Sequence, residues 1–258
     1  MFQEKEILID GLKINYKIAG QGPAILILHG WGGSSDSWIR VQKILAKEGF
    51  KVIVPDFPGF GKSKTPFFPW GLEDYTNFIL NLTHYLGLEN FFLLGHSFGG
   101  RIAIKFAVSF PEKIKSLILC DSAGIKQKWG KKEILIFQLA KIGNAIFTPT
   151  PLKRLKDRAR NLFYIFLRHR DYAKADGTMK ETMKKVINED LLNDLPQIKT
   201  KTLIIWGEND KLVPVKYAYL FKEKIENSEI KIIPKIGHSP NLEVPEKLAE
   251  IILNFFKK

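Results

Sequence analysis

Residues 91–100 read Phe-Phe-Leu-Leu-Gly-His-Ser-Phe-Gly-Gly, so a short apolar run ends in the pattern Gly-x-Ser-x-Gly. The run predicts a buried strand, and the pattern predicts a sharp turn into a helix that starts near Arg101. Gly95 and Gly99 leave room for a close backbone approach, which a Cβ atom would block. Ser97 would then stand on a strained, exposed elbow, where it could attack a carbonyl carbon if a base took its proton.

Two further apolar runs are each followed by a polar residue that could assist Ser97. Residues 203–206 lead into a loop that contains Asp210, and residues 230–233 lead into a loop that contains His238. His238 could act as the base and then as the acid for the leaving group. Asp210 could orient the His238 imidazole and stabilise its charged form.

The chain resembles the α/β-hydrolase superfamily over essentially its whole length. The matching stretches are residues 28–33, 55–63, 95–100, 206–214 and 237–238. The resemblance implies an α/β fold, with a mainly parallel eight-stranded sheet flanked by helices, and a triad in the chain order Ser97, Asp210, His238. It further implies an oxyanion hole made by the backbone N–H groups of Trp31 and Phe98, whose side chains would form pocket walls. It defines no substrate, because this fold hosts many chemistries.

Elsewhere in the chain the sequence predicts strands that alternate with helices. Asp10-Gly11 between two apolar stretches predicts an opening hairpin of antiparallel strands. Helical patterns at residues 37–48 and 72–86 separate continuous apolar runs, so we expect a doubly wound, mainly parallel sheet. The apolar runs occupy residues 24–28, 52–54, 91–94, 117–119, 203–206 and 230–233.

The interval after the sixth predicted strand breaks this alternation. It contains helical patterns at residues 134–147, 151–168 and 178–194 and no clear strand. It resembles the helical cap that many members of the superfamily carry. We therefore expect a core domain of residues 1–123 and 197–258 and a cap of residues 124–196. Phe163 and Phe166 in the cap could line the substrate pocket or could pack the cap onto the core.

Several other acids and histidines need separate interpretations. Asp121, at the end of the sixth predicted strand, competes with Asp210 as the catalytic acid, because some superfamily members carry the acid there. Asp56 lies in a proline-flanked turn, and we expect it to have a structural role. Among the five histidines, only His238 combines a strand-end loop with the required chain order. The other four histidines have different expected positions. We expect His29 beside the loop that carries Trp31, His84 in a helix, His96 in the elbow and His169 in the cap.

Composition and charge indicate which kinds of binding partner this chain could have. The 258-residue chain has a net charge of +13, and its basic residues are scattered among acids, which is typical of a lysine-rich surface. Attraction of anionic substrates, of nucleic acid or of a membrane surface is the alternative explanation. We expect no nucleic-acid partner, since no such motif occurs, and no membrane span, since no apolar run approaches about 20 residues. Residues 1–6 do not resemble a secretory signal, and the single cysteine, Cys120, is compatible with a reducing cytoplasm.

Together these features predict a serine hydrolase that cleaves small, mainly apolar carboxylic esters through an acyl-enzyme, as a monomer or homodimer. The histidine spacing and the single cysteine do not suggest a metal site, and no phosphate-binding loop occurs, so no metal or cofactor is expected. Hydrolysis of carbon–carbon bonds in dienoic diketo acids is an alternative, as are lactonase, peptidase and perhydrolase activities. In carbon–carbon hydrolases Trp commonly follows the catalytic His, whereas Ser239 follows it here. A non-catalytic binding module is the alternative outside enzymes.

Overall fold

The computed structural model describes residues 2–126 and 177–257. In this part of the chain eight strands form one sheet: β1 (Phe2–Ile9), β2 (Leu12–Ala19), β3 (Ala24–Leu28), β4 (Lys51–Pro55), β5 (Phe91–His96), β6 (Ile114–Cys120), β7 (Thr202–Gly207) and β8 (Ser228–Ile233). The helices are α1 (Ile39–Lys47), α2 (Leu72–Tyr85), α3 (Phe98–Ser109), α4 (Gly177–Asn188), α5 (Lys216–Lys224), α6 (Pro240–Glu243) and α7 (Pro245–Phe256). Short 3₁₀ turns lie at Ser35–Trp38, Pro111–Lys113 and Leu195–Gln197.

The sheet has the strand order β1-β2-β4-β3-β5-β6-β7-β8. Strand β2 is antiparallel to both β1 and β4, and every other neighbouring pair is parallel. The prediction of a mainly parallel eight-stranded sheet is therefore confirmed. The opening hairpin is confirmed as well: Asp10 and Gly11 have φ angles of 48° and 79°, as a type I′ turn requires.

Both faces of the sheet are covered by helices. Along β3, Leu26 and Leu28 belong to the core on the face covered by α2 and α3, whereas Ile25 and Ile27 belong to the core on the opposite face, with α1 and α7. Successive side chains of a strand point to opposite faces, so both sets are buried. The carboxyl ends of β3, β5, β6, β7 and β8 lie along one edge, and their loops meet there.

Two helix boundaries differ from the sequence prediction. Helix α3 begins at Phe98, three residues before the expected start near Arg101, because the turn at Ser97 is completed within a single residue. Helix α4 ends at Asn188 instead of continuing to residue 194. Beyond its end, Asp190 Oδ1 accepts the backbone N–H of Leu192 at 3.2 Å, a local hydrogen bond that competes with helix continuation.

The described end of the expected cap packs directly on the main core. Met179 and Val186 of α4, together with Leu191, are buried in the same apolar cluster as the α2–α3 face of the sheet. The expected helices at 134–147 and 151–168, with Phe163 and Phe166, lie outside the described residues. The cap boundaries at residues 124 and 196 therefore stay a prediction. Within residues 2–126 and 177–257, no helix has both the length and the apolar character needed to cross a bilayer.

Candidate active site

Ser97 occupies a tight turn between β5 and α3. Its φ and ψ angles are 52° and −113°, a conformation that non-glycine residues rarely adopt. A Cβ atom on Gly95 would lie 2.5 Å from the carbonyl oxygen of Gly99, and one on Gly99 would lie 2.2 Å from that of Leu28. Both contacts involve backbone atoms, so glycine is required at the two positions.

The surrounding backbone holds Ser97 in this conformation. The Ser97 N–H donates to the carbonyl of Cys120 at 3.2 Å, and the Ser97 carbonyl accepts the N–H groups of Gly100 and Ala123, each at 3.0 Å. Residues held in such sparsely populated backbone regions cost about 1–3 kcal/mol and cluster at functional sites. Three hydrogen bonds to two elements offset that cost and present the side chain at the sheet edge.

The three residues predicted to form a triad lie within hydrogen-bonding distance of one another. His238 Nε2 lies 2.8 Å from Ser97 Oγ, and His238 Nδ1 lies 2.7 Å from Asp210 Oδ2. In a neutral imidazole one ring nitrogen donates and the other accepts. Because the Asp210 carboxylate can only accept, Nδ1 carries the proton and Nε2 is free to accept the Ser97 hydroxyl proton.

Asp210 is fixed by the loop that follows β7. Its Oδ1 accepts the N–H groups of Leu212 at 2.8 Å and Val213 at 3.0 Å, which leaves Oδ2 for His238. Burial of the carboxyl raises its pKa, but the hydrogen bonds from His238 and the two amides outweigh burial, and the pKa lies below its ordinary value. Asp210 is thus an anion at neutral pH and can stabilise a protonated His238.

Asp121, the competing acid, lies behind Asp210 and is fully buried. Its Oδ1 accepts the Gly207 N–H at 2.9 Å. Burial raises the pKa of Asp121 to about 8, and the Asp210 charge adds to that rise. The group is therefore neutral at pH 7. The structure places Asp210, not Asp121, in hydrogen-bonding contact with His238.

One cluster of side chains among the described residues has a spacing that a metal ion could use. It consists of Asp121, Asp210 and His238, whose ligand atoms lie within 4.8 Å of one another. The three groups are already engaged, however: Asp121 with Gly207, and Asp210 with His238. A neutral carboxyl is also a poor ligand, since metals bind the deprotonated form. The cluster is better suited to orienting the imidazole than to holding a metal.

The loop after β3 approaches the elbow closely. A Cβ atom on Gly30 would lie 3.3 Å from the Cβ of Ser97, and the ring centroids of Trp31 and Phe98 are 5.2 Å apart. Phe98 is the first residue of α3, where backbone N–H groups lack intrahelical acceptors. In the described part of the chain, the N–H groups of Trp31 and Phe98 donate to no protein acceptor. Both are therefore available to a negatively charged oxygen bound near Ser97.

His29 and Asp56 have the structural roles expected of them. His29 is fully buried, with Nδ1 2.8 Å from the Gly30 carbonyl and Nε2 accepting the Phe57 N–H at 3.0 Å. Burial lowers the pKa of His29 to about 4, so the ring is neutral, and its contacts connect the loop after β3 to the loop after β4. The Asp56 carboxylate accepts the N–H groups of Ser35 and Lys62.

His96 has a contact that the sequence does not reveal. Its Nε2 lies 2.7 Å from the backbone carbonyl of His238, across the end of the sheet. Burial lowers the pKa of His96 to about 3, so a neutral ring donates this hydrogen bond. The contact positions the loop that carries His238. Its two residues are 142 positions apart, so no local pattern could indicate it.

Ser97 opens into a cleft of about 610 Å³. Trp31 and Phe98 line this cleft, as do Ser97 and His238 themselves. Its wall is completed by apolar residues and by basic residues: Ile125, Met183, Val186, Ile187, Leu212 and Val213, with Arg101, Lys126 and Lys211. The cleft therefore combines an apolar lining with positive charge. Arg101 was not singled out in the sequence, because its burial is visible only in the fold.

Comparison with known proteins gives a consistent family assignment. The family model described as the alpha/beta hydrolase fold matches residues 23–141 and 154–245. A pimeloyl-[acyl-carrier protein] methyl ester esterase of Wigglesworthia glossinidia brevipalpis is 33% identical, covering 94% of this chain and 97% of the relative. A 2-hydroxy-6-oxononadienedioate/2-hydroxy-6-oxononatrienedioate hydrolase of Comamonas testosteroni is 25% identical. The alignment covers 96% of this chain and 92% of that relative. The solved structure of an esterase from Exiguobacterium antarcticum matches with a TM-score of 0.77 at 25% identity. The match covers 99% of this chain and 100% of the esterase chain.

Proposed function

The chain belongs to the α/β hydrolase fold family, and within that family we propose that it is a serine hydrolase of small carboxylic esters. The observation that supports this proposal most directly is the continuous series of hydrogen bonds from Asp210 through His238 to Ser97, at 2.7 Å and 2.8 Å. Nucleophile, base and orienting acid are thus within the distances that proton transfer requires.

The proposed reaction has two stages. Ser97 Oγ attacks the ester carbonyl while His238 Nε2 takes the hydroxyl proton, and the Trp31 and Phe98 N–H groups stabilise the oxyanion. His238 then gives the proton to the departing alkoxide, which leaves as the alcohol, and an acyl-enzyme remains on Ser97. A water molecule deprotonated by His238 attacks the acyl carbon. The second oxyanion then collapses, the bond from the acyl carbon to Ser97 Oγ breaks, and His238 returns the proton to Oγ, which releases the acid and restores Ser97.

The environment of Ser97 also favours an ester with a modest apolar part. The cleft is lined mainly by apolar side chains, and pockets of this kind bind substrates largely by contact with such groups. Similarity to a methyl ester esterase and to a second esterase supports the same chemistry. We also propose that residues 124–196 form a cap, since Lys126 and α4 already contribute to the cleft wall, and that the protein acts in the cytoplasm as a monomer or homodimer.

Labelling with a fluorophosphonate, followed by turnover of p-nitrophenyl butyrate, tests the proposal. We expect covalent labelling of the wild-type chain and its loss in Ser97→Ala, with kcat reduced by up to about 10⁶-fold. Ser122→Ala is the matched control, because Ser122 follows the neighbouring strand but its hydroxyl donates to the Ala123 carbonyl at 2.8 Å instead of to a base. Labelling that persists in a folded Ser97→Ala protein would refute the mechanism, and no turnover by the wild type would favour a binding module.

Hydrolysis of a carbon–carbon bond in dienoic diketo acids is the second candidate. It is favoured by the similarity to the Comamonas testosteroni hydrolase. The same triad could serve either reaction, so the two candidates differ in substrate and not in machinery. Parallel assays with a dienoic diketo acid and with p-nitrophenyl butyrate separate them, and the higher kcat/KM identifies the activity.

A further inference from the structure

Arg101 is a buried cation in the wall of the cleft that contains Ser97. It lies in α3, four residues after the nucleophile, and only 6% of its surface is exposed. Ser97, which precedes this helix, lines the same cleft as Arg101. A ligand in the cleft can therefore contact the guanidinium and the Ser97 side chain together.

The charges of Glu189 and Asp190 favour the charged form of Arg101, but neither carboxylate forms an ion pair with the guanidinium. Its Nη1 donates to the backbone carbonyl of Glu189 at 2.8 Å. Across residues 2–126 and 177–257, no carboxylate oxygen lies within 4.0 Å of the guanidinium. The nearby acids are engaged elsewhere: Glu189 Oε1 lies 3.4 Å from Lys105 Nζ, and the Asp190 carboxylate accepts two backbone N–H groups.

A buried cation with one neutral acceptor is energetically costly unless an anion joins it. Burial lowers the pKa of Arg101 to about 10, so the group is still charged at neutral pH. Guanidinium carries five N–H donors in a planar fork, and one of them accounts for the Glu189 contact. Among residues 2–126 and 177–257 no second acceptor contacts the guanidinium, so within this part of the chain donors remain for a ligand that enters the cleft, and the net charge of +13 would attract an anionic one.

We propose that Arg101 binds a carboxylate of the substrate, so that the natural ester carries an anionic group in addition to the ester bond. This inference rests on the proposed esterase function. A guanidinium and a carboxylate can pair through two parallel hydrogen bonds, which fix orientation as well as position. Because Arg101 and Ser97 line the same cleft, such a pair would hold the ester carbonyl beside the nucleophile. Arg101 would then determine specificity without taking part in proton transfer.

The test compares anionic and neutral esters of similar size. One pair is ethyl hydrogen adipate and ethyl hexanoate, with the carboxylate on the acyl side. The other is 3-(butanoyloxy)propanoate and butyl butanoate, with the carboxylate on the alcohol side. The measured quantity is the ratio of kcat/KM for the anionic ester to that for the neutral ester. In Arg101→Met this ratio should fall by about 10- to 100-fold for at least one pair, since a hydrogen bond to a charged group contributes about 1.5–3 kcal/mol.

Lys105→Met is the matched control. Lys105 lies one turn further along α3 and contacts the same Glu189, but it does not line the cleft. Its loss should leave the ratio unchanged. If Arg101→Met does not fold, Arg101→Lys replaces it, because lysine keeps the charge but lacks the planar fork, and the ratio should again fall.

The possible failures are distinguishable. A wild-type chain that hydrolyses none of the four esters would overturn the esterase function itself. A wild-type chain that hydrolyses them, with ratios that stay within about twofold in the Arg101 variant, would overturn only the carboxylate site. Equal falls in the ratio for Arg101→Met and Lys105→Met would show a general effect of positive charge, which also overturns the site.

Discussion

Replacing Asp210 with Asn should reduce activity far more than replacing Asp121 with Asn, although both acids lie beside His238. Asp210 Oδ1 accepts the N–H groups of Leu212 and Val213, and Oδ2 lies 2.7 Å from His238 Nδ1. Because those two amides need an acceptor, the Asn carbonyl oxygen should take the Oδ1 position. The Asn NH₂ group would then face His238 Nδ1, which could no longer donate. The ring proton would move to Nε2.

The size of the effect follows from that change of tautomer. An Nε2–H cannot accept the Ser97 hydroxyl proton, so the nucleophile loses its base. Loss of the correct tautomer costs about 10⁴ in kcat, which corresponds to about 5.4 kcal/mol of the activation barrier. Asp121 differs because its carboxyl is already neutral. Asn at that position keeps an acceptor for the Gly207 N–H and a donor toward Asp210. We expect a loss smaller than about tenfold.

Steady-state hydrolysis of p-nitrophenyl butyrate by the wild type and the two variants measures this ranking. The rate of fluorophosphonate labelling provides a second readout, because it reports the reactivity of Ser97 toward attack without a deacylation step. Circular dichroism and thermal unfolding establish that both variants are folded. Equal losses in the two variants would contradict the reasoning, and a larger loss in Asp121→Asn would transfer the acid role to Asp121.

Three further predictions concern the surroundings of this site. The pKa of Asp121 is about 8 in the folded protein and about 3.9 in the unfolded chain. Between these pH values the folded state therefore holds a proton on Asp121 that the unfolded state has lost. Relative to Asp121→Asn, the wild-type free energy of unfolding should fall by up to about 1.4 kcal/mol per pH unit between pH 4 and 8, and urea unfolding at pH 5 and 7 detects this. Gly99→Ala would place a Cβ atom 2.2 Å from the Leu28 carbonyl oxygen, so it should destabilise by at least about 2 kcal/mol and lower Tm by roughly 4–8 °C in calorimetry. If the cap shapes the pocket, Phe163→Ala or Phe166→Ala should change acyl-chain preference in an ester panel more than it changes Tm, and an unchanged preference would assign both residues to packing.

The sequence alone was sufficient for the architecture and for the position of Ser97 in the turn between β5 and α3. Gly95, Ser97 and Gly99 define the elbow because only glycine fits the close backbone contacts there, and that requirement is local. The Asp10-Gly11 turn was predictable for the same reason, since the type I′ conformation depends on two adjacent residues. Continuous apolar runs revealed the buried strands, because a strand covered on both faces needs apolar side chains on both.

Tertiary structure decided which groups lie in contact. Asp210 and Asp121 both follow a strand of the sheet, but only the fold shows that Asp210 contacts His238 while Asp121 binds the Gly207 N–H. The hydrogen bond from His96 to the His238 carbonyl likewise joins distant residues. The early end of α4 also depends on a contact across the chain, the bond from the Leu191 N–H to the Gly124 carbonyl at 2.9 Å.

The burial of Arg101 is another feature that only the tertiary structure reveals. In the sequence Arg101 is an ordinary basic residue of a helix, and only the fold makes it a buried cation that lines the cleft and donates to the Glu189 carbonyl. Strand propensity, turn chemistry and glycine requirements are fixed by neighbours in the chain, so the sequence determined them. Burial, the pKa of an acid and the partner of a hydrogen bond depend on residues that folding brings together from distant positions, so only the tertiary structure could decide them.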